Sequence, residues 1–136
     1  MLLTKECDYG IRIIRALSSG SKKTIEVIAD EEKISHKYAY KIIKKLVKAG
    51  FINSTRGRIG GYHIKLPLNK IRLLDVIAAV DTDRYVNVCL KQGAACSYRD
   101  SGAHTCTVHE ELMRIQDVIN MELSRRTMDE ILKIKG

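Results

Sequence analysis

Apolar residues recur at helical spacing from the start of the chain. Tyr9, Ile13, Ala16 and Leu17 follow Thr4 at three- and four-residue steps, and Ser18-Ser19-Gly20 ends the pattern. A first helix capped by Thr4 is therefore expected. Thr24 precedes Ile25, Ile28 and Ala29 and predicts a short second helix. After Glu32-Lys33-Ile34, Ser35 opens a third helix that stops at Ala49-Gly50, with Ala39, Ile42, Ile43, Leu46 and Val47 on one face. Two short helices joined by a few residues predict a helix-turn-helix. The period then changes. Residues 51–55 and 62–66 are β-prone runs flanking Arg56-Gly57-Arg58-Ile59-Gly60-Gly61, a pattern that predicts a hairpin. A hairpin directly after a helix-turn-helix makes a winged helix.

The second half reads differently. Residues 73–80 predict a short helix, ended by Asp81-Thr82-Asp83-Arg84. The stretch from 89 to 106 carries Gly93, Ser97, Asp100, Ser101 and Gly102, has no helical period, and predicts a loop. Thr107-x-x-Glu110 has the form of a capping box, and Val108, Leu112, Ile115, Ile119 and Leu123 form the apolar stripe of a long helix from about 107 to 125. That stripe needs cover, from its own domain or from a second copy. Thr127-x-x-Glu130 predicts a short closing helix. The expected fold is mainly α with a small β-hairpin: a winged helix-turn-helix plus a long dimerisation helix. The single proline, Pro67, divides a DNA-binding domain at 1–66 from a loop-and-helix region at 67–136.

Charge sharpens this division. The chain has 24 Lys+Arg against 16 Asp+Glu, a net charge of +8. The first 65 residues hold the whole excess, and the rest balances. Lys37, Lys41, Lys44, Lys45 and Lys48 occupy the polar face of the third helix, with His36 and Tyr40 near its start and no acid in the stretch. On an isolated helix such a face is ordinarily just solvated. With Arg56 and Arg58 of the wing beside it, the pattern points to double-stranded DNA. Early residues of a second helix reach base edges, which makes His36, Lys37, Tyr40 and Lys41 candidates for readout. Lysines further along, such as Lys44, together with Arg56 and Arg58, suit phosphates or the minor groove. No phosphate-binding loop, dinucleotide fingerprint or Ser-His-Asp set is visible. An enzyme and a small-molecule substrate are not expected. No apolar run suits a bilayer and the N-terminus lacks a cleavable signal pattern, so a cytoplasmic protein without a membrane partner is expected.

The four cysteines carry the second signal. In a reducing compartment they read as metal ligands or reactive thiols before disulfides. Cys89, Cys96, Cys106 and His109 are separated by six, nine and two residues. Three thiolates and an imidazole form a closed four-ligand set that zinc or an iron–sulfur cluster accepts. No tight C-x2-C knuckle is present, and a wide loop suits a cluster better, with zinc and ordinary thiols as the alternatives. His104 competes with His109, whose place at the helix start favours it. Cys7 suits a small packing residue.

The sequence resembles winged-helix transcription regulators of the IscR and NsrR type, the Rrf-two family. The likeness runs through MLLTKECDYGIRIIRALS, ISHKYAYKIIKKLVKAGFINSTRGRIGGY, LLDVIAAVD and TMDEIL, and the RGxxGGY wing at residues 56–62 is its most specific element. The resemblance implies a homodimer on a partly palindromic operator. It also implies an iron–sulfur cluster on Cys89, Cys96 and Cys106. The Cys106-x2-His109 ending is similar to the IscR subtype, with His109 as fourth ligand of a 2Fe–2S cluster. Asp8 matches an acid that ligates a 4Fe–4S cluster from across the NsrR-type dimer. The Cys106-x2-His109 ending favours 2Fe–2S, while Asp8 and a gap before Cys106 longer than usual for the family keep 4Fe–4S as the alternative. The implied function is a repressor whose DNA affinity responds to iron–sulfur status, redox state or nitric oxide. A zinc- or thiol-based regulator of the same fold, and a small iron–sulfur redox protein, are the rival readings.

Overall fold

A computed structural model describes residues 3–102 and 104–134. Three helices open the chain: α1 (Lys5–Ala16), α2 (Ile25–Glu32) and α3 (His36–Lys48). Each starts where a hydroxyl side chain satisfies an orphan backbone donor. Thr4 Oγ1 accepts from the Cys7 N–H at 3.4 Å, Thr24 Oγ1 from Val27 at 3.3 Å, and Ser35 Oγ from Tyr38 at 3.3 Å. Lys33 ends α2 in the left-handed region and turns the chain into α3. The wing follows as β1 (Ile52–Thr55) and β2 (Gly61–Ile64), antiparallel, with Ile52 opposite Ile64 and Thr55 opposite Gly61. Lys23 and Tyr62 exchange backbone hydrogen bonds at 2.9 and 2.8 Å, which ties the segment before α2 to the base of the wing. A Cβ at Gly61 would stand 2.8 Å from the Lys23 carbonyl oxygen, so this junction needs a glycine.

The core joins the two halves of the sequence. Ile13, Ile14 and Leu17 of α1 and its end, Ile28 of α2, and Ile42, Ile43 and Leu46 of α3 are fully buried together with Ile71, Val76, Ile77 and Met128. Each such aliphatic side chain contributes about 1.5–3 kcal/mol of transfer free energy. Val76 and Ile77 belong to α4 (Leu73–Val80), which packs on α1 and α3. Glu32 is the buried acid of this unit, and Arg15 reaches it with two guanidinium nitrogens while Arg12 donates to its carbonyl at 3.1 Å. Cys7 is fully buried, in keeping with a packing residue.

Beyond α4 come α5 (Ser97–Asp100), α6 (Thr107–Leu123) and α7 (Met128–Ile131). The expected loop between Cys89 and Cys106 is not wholly irregular: it holds a 3-10 turn at Val88–Leu90 and the single turn α5. The cause is local. Asp100 Oδ2 accepts from the Cys96 N–H at 2.8 Å and the Asp100 N–H returns to the Cys96 carbonyl at 2.7 Å, closing a turn that needs no apolar period. The cap of α6 also differs from expectation. Cys106, not Thr107, is the N-cap, its Sγ accepting the His109 N–H at 3.3 Å, and the helix ends at Leu123 rather than near 125. At α7 the expected capping arrangement forms, with the Thr127 N–H donating to Glu130 Oε2 at 3.4 Å. Met128 N–H donates to the Ile71 carbonyl at 2.7 Å, which folds the chain end back onto the segment before α4.

A Cβ built at Gly10 of α1 would lie 3.0 Å from Val80 Cγ1 and 3.5 Å from Val76 Cγ1. The α1–α4 approach therefore depends on the missing side chain. Gly10→Val should overpack it and cost about 1–3 kcal/mol, read as a lower urea midpoint. An unchanged midpoint would contradict so close a seating of α4.

Candidate nucleic-acid interface and cysteine loop

The two faces of α3 separate as the pattern requires. Ala39, Ile42, Ile43 and Leu46 are buried, while His36, Lys37, Tyr40, Lys41, Lys44 and Lys48 are exposed. Lys44 Nζ lies 5.2 Å from the centroid of the Tyr40 ring, so these two side chains share one patch. Tyr38 packs edge-on against Tyr9 at 5.6 Å between centroids and remains partly exposed, an aromatic neighbour of the patch that the residue pattern did not single out. Arg56 and Arg58 stand exposed in the wing turn, where Gly57 has φ +106°. Ile59 at the tip is 83% exposed, and Lys22 Nζ donates to its carbonyl at 3.3 Å.

One acid reaches into the lysine face. Glu6, in the first turn of α1, accepts from Lys41 Nζ on Oε1 at 2.7 Å and from Lys45 Nζ on Oε2 at 2.8 Å. Lys45 Nζ also donates to the Val80 carbonyl at 2.8 Å. These donors, Lys41 first, hold the Glu6 carboxyl below the ordinary carboxylate range, and the carboxylate raises the Lys41 ammonium in return. A cleft beside this group is lined by Glu6, Lys45, Lys48, Val80 and Asp81.

The cysteine loop is organised by Arg99, whose role the spacing of Cys and His did not show. Its Nη2 donates to the Cys89 carbonyl at 3.5 Å and its Nη1 lies 3.1 Å from His109 Nε2. Backbone and side-chain hydrogen bonds from Arg99, joined by the Tyr98 N–H, pull the Cys96 thiol below its usual range. Arg99 thus links three of the four expected ligand positions, and the fourth, Cys106, is joined to His109 through the helix cap. It is the one Lys or Arg between residues 92 and 113, and that isolation was the available signal. Because a guanidinium has no lone pair to offer, His109 Nε2 must accept, which places the ring proton on Nδ1. Nδ1 is buried without a partner, as is Arg99 Nε. An imidazole and three free thiols are residue types of a soft-metal donor set, but in this arrangement the Nε2 lone pair is taken by Arg99, so ligation through it requires Arg99 to withdraw. Among the described residues, no three Cys, His, Asp or Glu groups converge as around a single metal ion. His104 instead stacks on Tyr98 at 4.9 Å between centroids, and Asp8 pairs with Arg12 at 3.0 Å along α1.

Comparisons place this arrangement among known proteins. A family model described as "Rrf2: Iron-dependent Transcriptional regulator" matches residues 3–134. Protein aau3 of Rhizobium meliloti (strain 1021) is 26% identical over 138 residues, covering 99% of this chain and 87% of that protein. The oxidized form of Staphylococcus aureus CymR superposes with a TM-score of 0.75 at 19% identity, covering 100% of this chain and 99% of the other. T. potens IscR superposes at 0.72 and 20% identity, covering 98% and 87%. CymR (YrzC), described as the global cysteine regulator of B. subtilis, superposes at 0.74 and 18% identity, covering 100% and 99%. These structures share the fold, a mainly helical chain with a two-stranded wing. Among the described residues no helix is long and apolar enough to cross a membrane.

The Glu6 group carries a pH signature. Its folded value is depressed, so its contribution to stability is present above the ordinary glutamate range and is lost as pH falls through the folded value. The groups facing it are Lys41 and Lys45, with Lys48 and Asp81 along the adjoining cleft. Unfolding midpoints of the parent and Glu6→Gln should differ near neutral pH and converge in acid. A gap that stays constant across that range would refute the linkage.

Proposed function

Because the chain belongs to the Rrf2 family of transcriptional regulators, we propose that it is a homodimeric DNA-binding repressor whose operator affinity is set by an iron–sulfur cluster on the cysteine loop. Residues 1–66 act as the DNA-binding unit and 67–136 as the sensing and dimerising unit. In this reading His36, Lys37, Tyr40 and Lys41 meet base edges in the major groove, and Lys44, Arg56 and Arg58 meet phosphates or the minor groove. Cys89, Cys96, Cys106 and His109 hold the cluster, with 2Fe–2S favoured. In the 4Fe–4S alternative, Asp8 of the partner subunit replaces His109.

The observation that supports the cluster reading is that Arg99 links the Cys89 carbonyl, the Cys96 thiol and the His109 ring, while Cys106 Sγ accepts the His109 N–H, so the four expected ligand positions belong to one local network. When bound, the cluster supplies a centre that reacts with oxidants and nitric oxide. The chain's own part is mechanical and electrostatic. Cys106 caps α6 and His109 sits in its first turn, so ligation by both fixes the start of that helix. Val108, Met113, Val118 and Met121 of α6 are exposed, and Leu112, Ile115 and Ile119 are half-buried, an apolar surface that a second copy would cover. A two-fold dimer formed there presents two α3 helices to successive major grooves, roughly 34 Å apart or a multiple of it. The cluster then shifts DNA affinity only by its differential stability in the two dimer conformations. The thiol-based reading keeps one specific support: Arg99 lowers Cys96, and a thiolate is the form that oxidants attack. The protein acts in the cytoplasm.

Anaerobically purified protein should contain iron and sulfide and absorb in the visible. Alanine at Cys89, Cys96 or Cys106 should abolish that absorption and His109→Ala should weaken it. Colourless, iron-free protein after reconstitution would overturn the cluster reading and leave the zinc- or thiol-based one in place. Mobility-shift titrations of loaded and cluster-free protein on one operator should give different affinities, and equal affinities would sink the sensing role. Lys44→Ala should weaken binding and reduce the salt slope by about 0.9 while leaving the absorption intact.

A further inference from the structure

Glu6 is set apart from the other acids of the chain by where it points. From the first turn of α1 it crosses to α3 and takes both Lys41 and Lys45, which stand one helical turn apart, at 2.7 and 2.8 Å. Among the described residues, no other acid is paired with a lysine of α3. Lys45 is turned further from the DNA-facing side by its bond to the Val80 carbonyl at the end of α4. Lys41 stays about half exposed, at 54% of its side chain, with its charge matched by a carboxylate.

We propose that Glu6 is a positioning residue for DNA binding that holds Lys41 and Lys45 back against α1 and α4 and lowers by one the positive charge that α3 offers to phosphate. This rests on the DNA-binding reading above and deepens it. The physical argument is a charge count. Two ammonium groups and one carboxylate present a net single positive charge to the approaching backbone, where two bare lysines would present two. An exposed ion pair is individually weak, so phosphate competes for Lys41. The carboxylate nevertheless remains beside the contact and repels the phosphate it faces. Glu6 therefore tempers non-specific affinity, which depends on phosphate contacts; it leaves base readout by His36, Lys37 and Tyr40 untouched, and Lys41 reaches a base edge only once it leaves the carboxylate.

The segment that supports Glu6 runs to the cysteine loop. Thr4, which caps α1 two residues earlier, donates its hydroxyl to Asp81 Oδ2 at 2.9 Å. Asp81 Oδ1 accepts from the Asp83 N–H at 2.8 Å, and Asp83 pairs with Lys91 at 2.6 Å. The restraint on α3 thus stands on the same connection that leads from α4 into the loop.

The test is fluorescence anisotropy of the full chain with a labelled mixed-sequence duplex, titrated from about 50 to 200 mM potassium chloride. Glu6→Gln should bind more tightly, by about eightfold near 0.1 M salt, and its salt slope should be steeper by about 0.9, one further phosphate contact. Glu6→Asp keeps the charge on a shorter arm and should fall between the two. Lys41→Gln should cost more affinity in the Glu6→Gln background than in the parent, a coupling that a merely structural role would not produce. Thermal melts of each variant separate misfolding from weakened binding. Parent protein that binds no duplex at any salt would overturn the DNA-binding reading itself. Parent that binds, with Glu6→Gln equal or weaker in affinity and unchanged in slope, would overturn this inference alone.

Discussion

The seating of α4 on α1 is the contact from which the rest of the arrangement follows. Gly10 lets Val80 sit within 3.0 Å of where a Cβ would stand on α1, an approach that a larger side chain would force apart. Once α4 is there, its end lies beside α3, and the Val80 carbonyl comes within reach of Lys45. The chain leaves α4 at Asp81, where Thr4 of the α1 cap holds it, and only then enters the cysteine-bearing segment. A core of aliphatic residues drawn from both halves of the sequence therefore does more than stabilise. It sets the start of the loop next to the lysine-bearing helix α3.

Arg99 plays the corresponding part within the loop. A single cation touches the Cys89 carbonyl, lowers the Cys96 thiol and orders the His109 tautomer. Its Nε has no partner, a cost that a folded protein seldom carries without reason. The guanidinium beside Cys96 favours that thiol's anionic form, whether the thiolate binds iron, binds zinc or meets an oxidant. The competing readings of the loop are therefore three uses of one electrostatic arrangement. What separates them is the identity of the electrophile that reaches the sulfurs.

The elements that the sequence disclosed are those whose signals are local. Thr4, Thr24 and Ser35 cap the helices that follow them, the alternation of Lys and Ile along α3 shows its two faces, and the glycines between the β-prone runs mark the wing. The misses have physical causes too. Cys106 displaced Thr107 as the cap of α6 because a thiol can accept the same backbone bond, although hydroxyls are far commoner in that place. The turn α5 rests on a reciprocal bond between Cys96 and Asp100 and leaves no periodic trace. Glu6 stands 35 residues from Lys41 in sequence, and nothing in a run of lysines tells which will be met by an acid from another helix. The candidate ligands were readable as residue types at suggestive spacings. Arg99 showed only as an isolated cation; that it connects them was not readable, because its reach depends on the turn α5 that carries it.

The distribution of charge gives the lysine face its particular character. No acid occurs in sequence from Lys33 to Leu74, so α3 and the wing cannot neutralise themselves through neighbours along the chain. Any tempering has to come from elsewhere in the fold. At physiological ionic strength charges screen over about 8 Å, so acids placed far away would scarcely alter the field at α3. An acid that controls this surface must touch it, and Glu6 does. The balanced second half leaves the net positive field concentrated on the face that would meet DNA, which steers encounter toward the correct side of the molecule. The chain thus separates two tasks: its sequence composition produces attraction, and a single tertiary contact limits it.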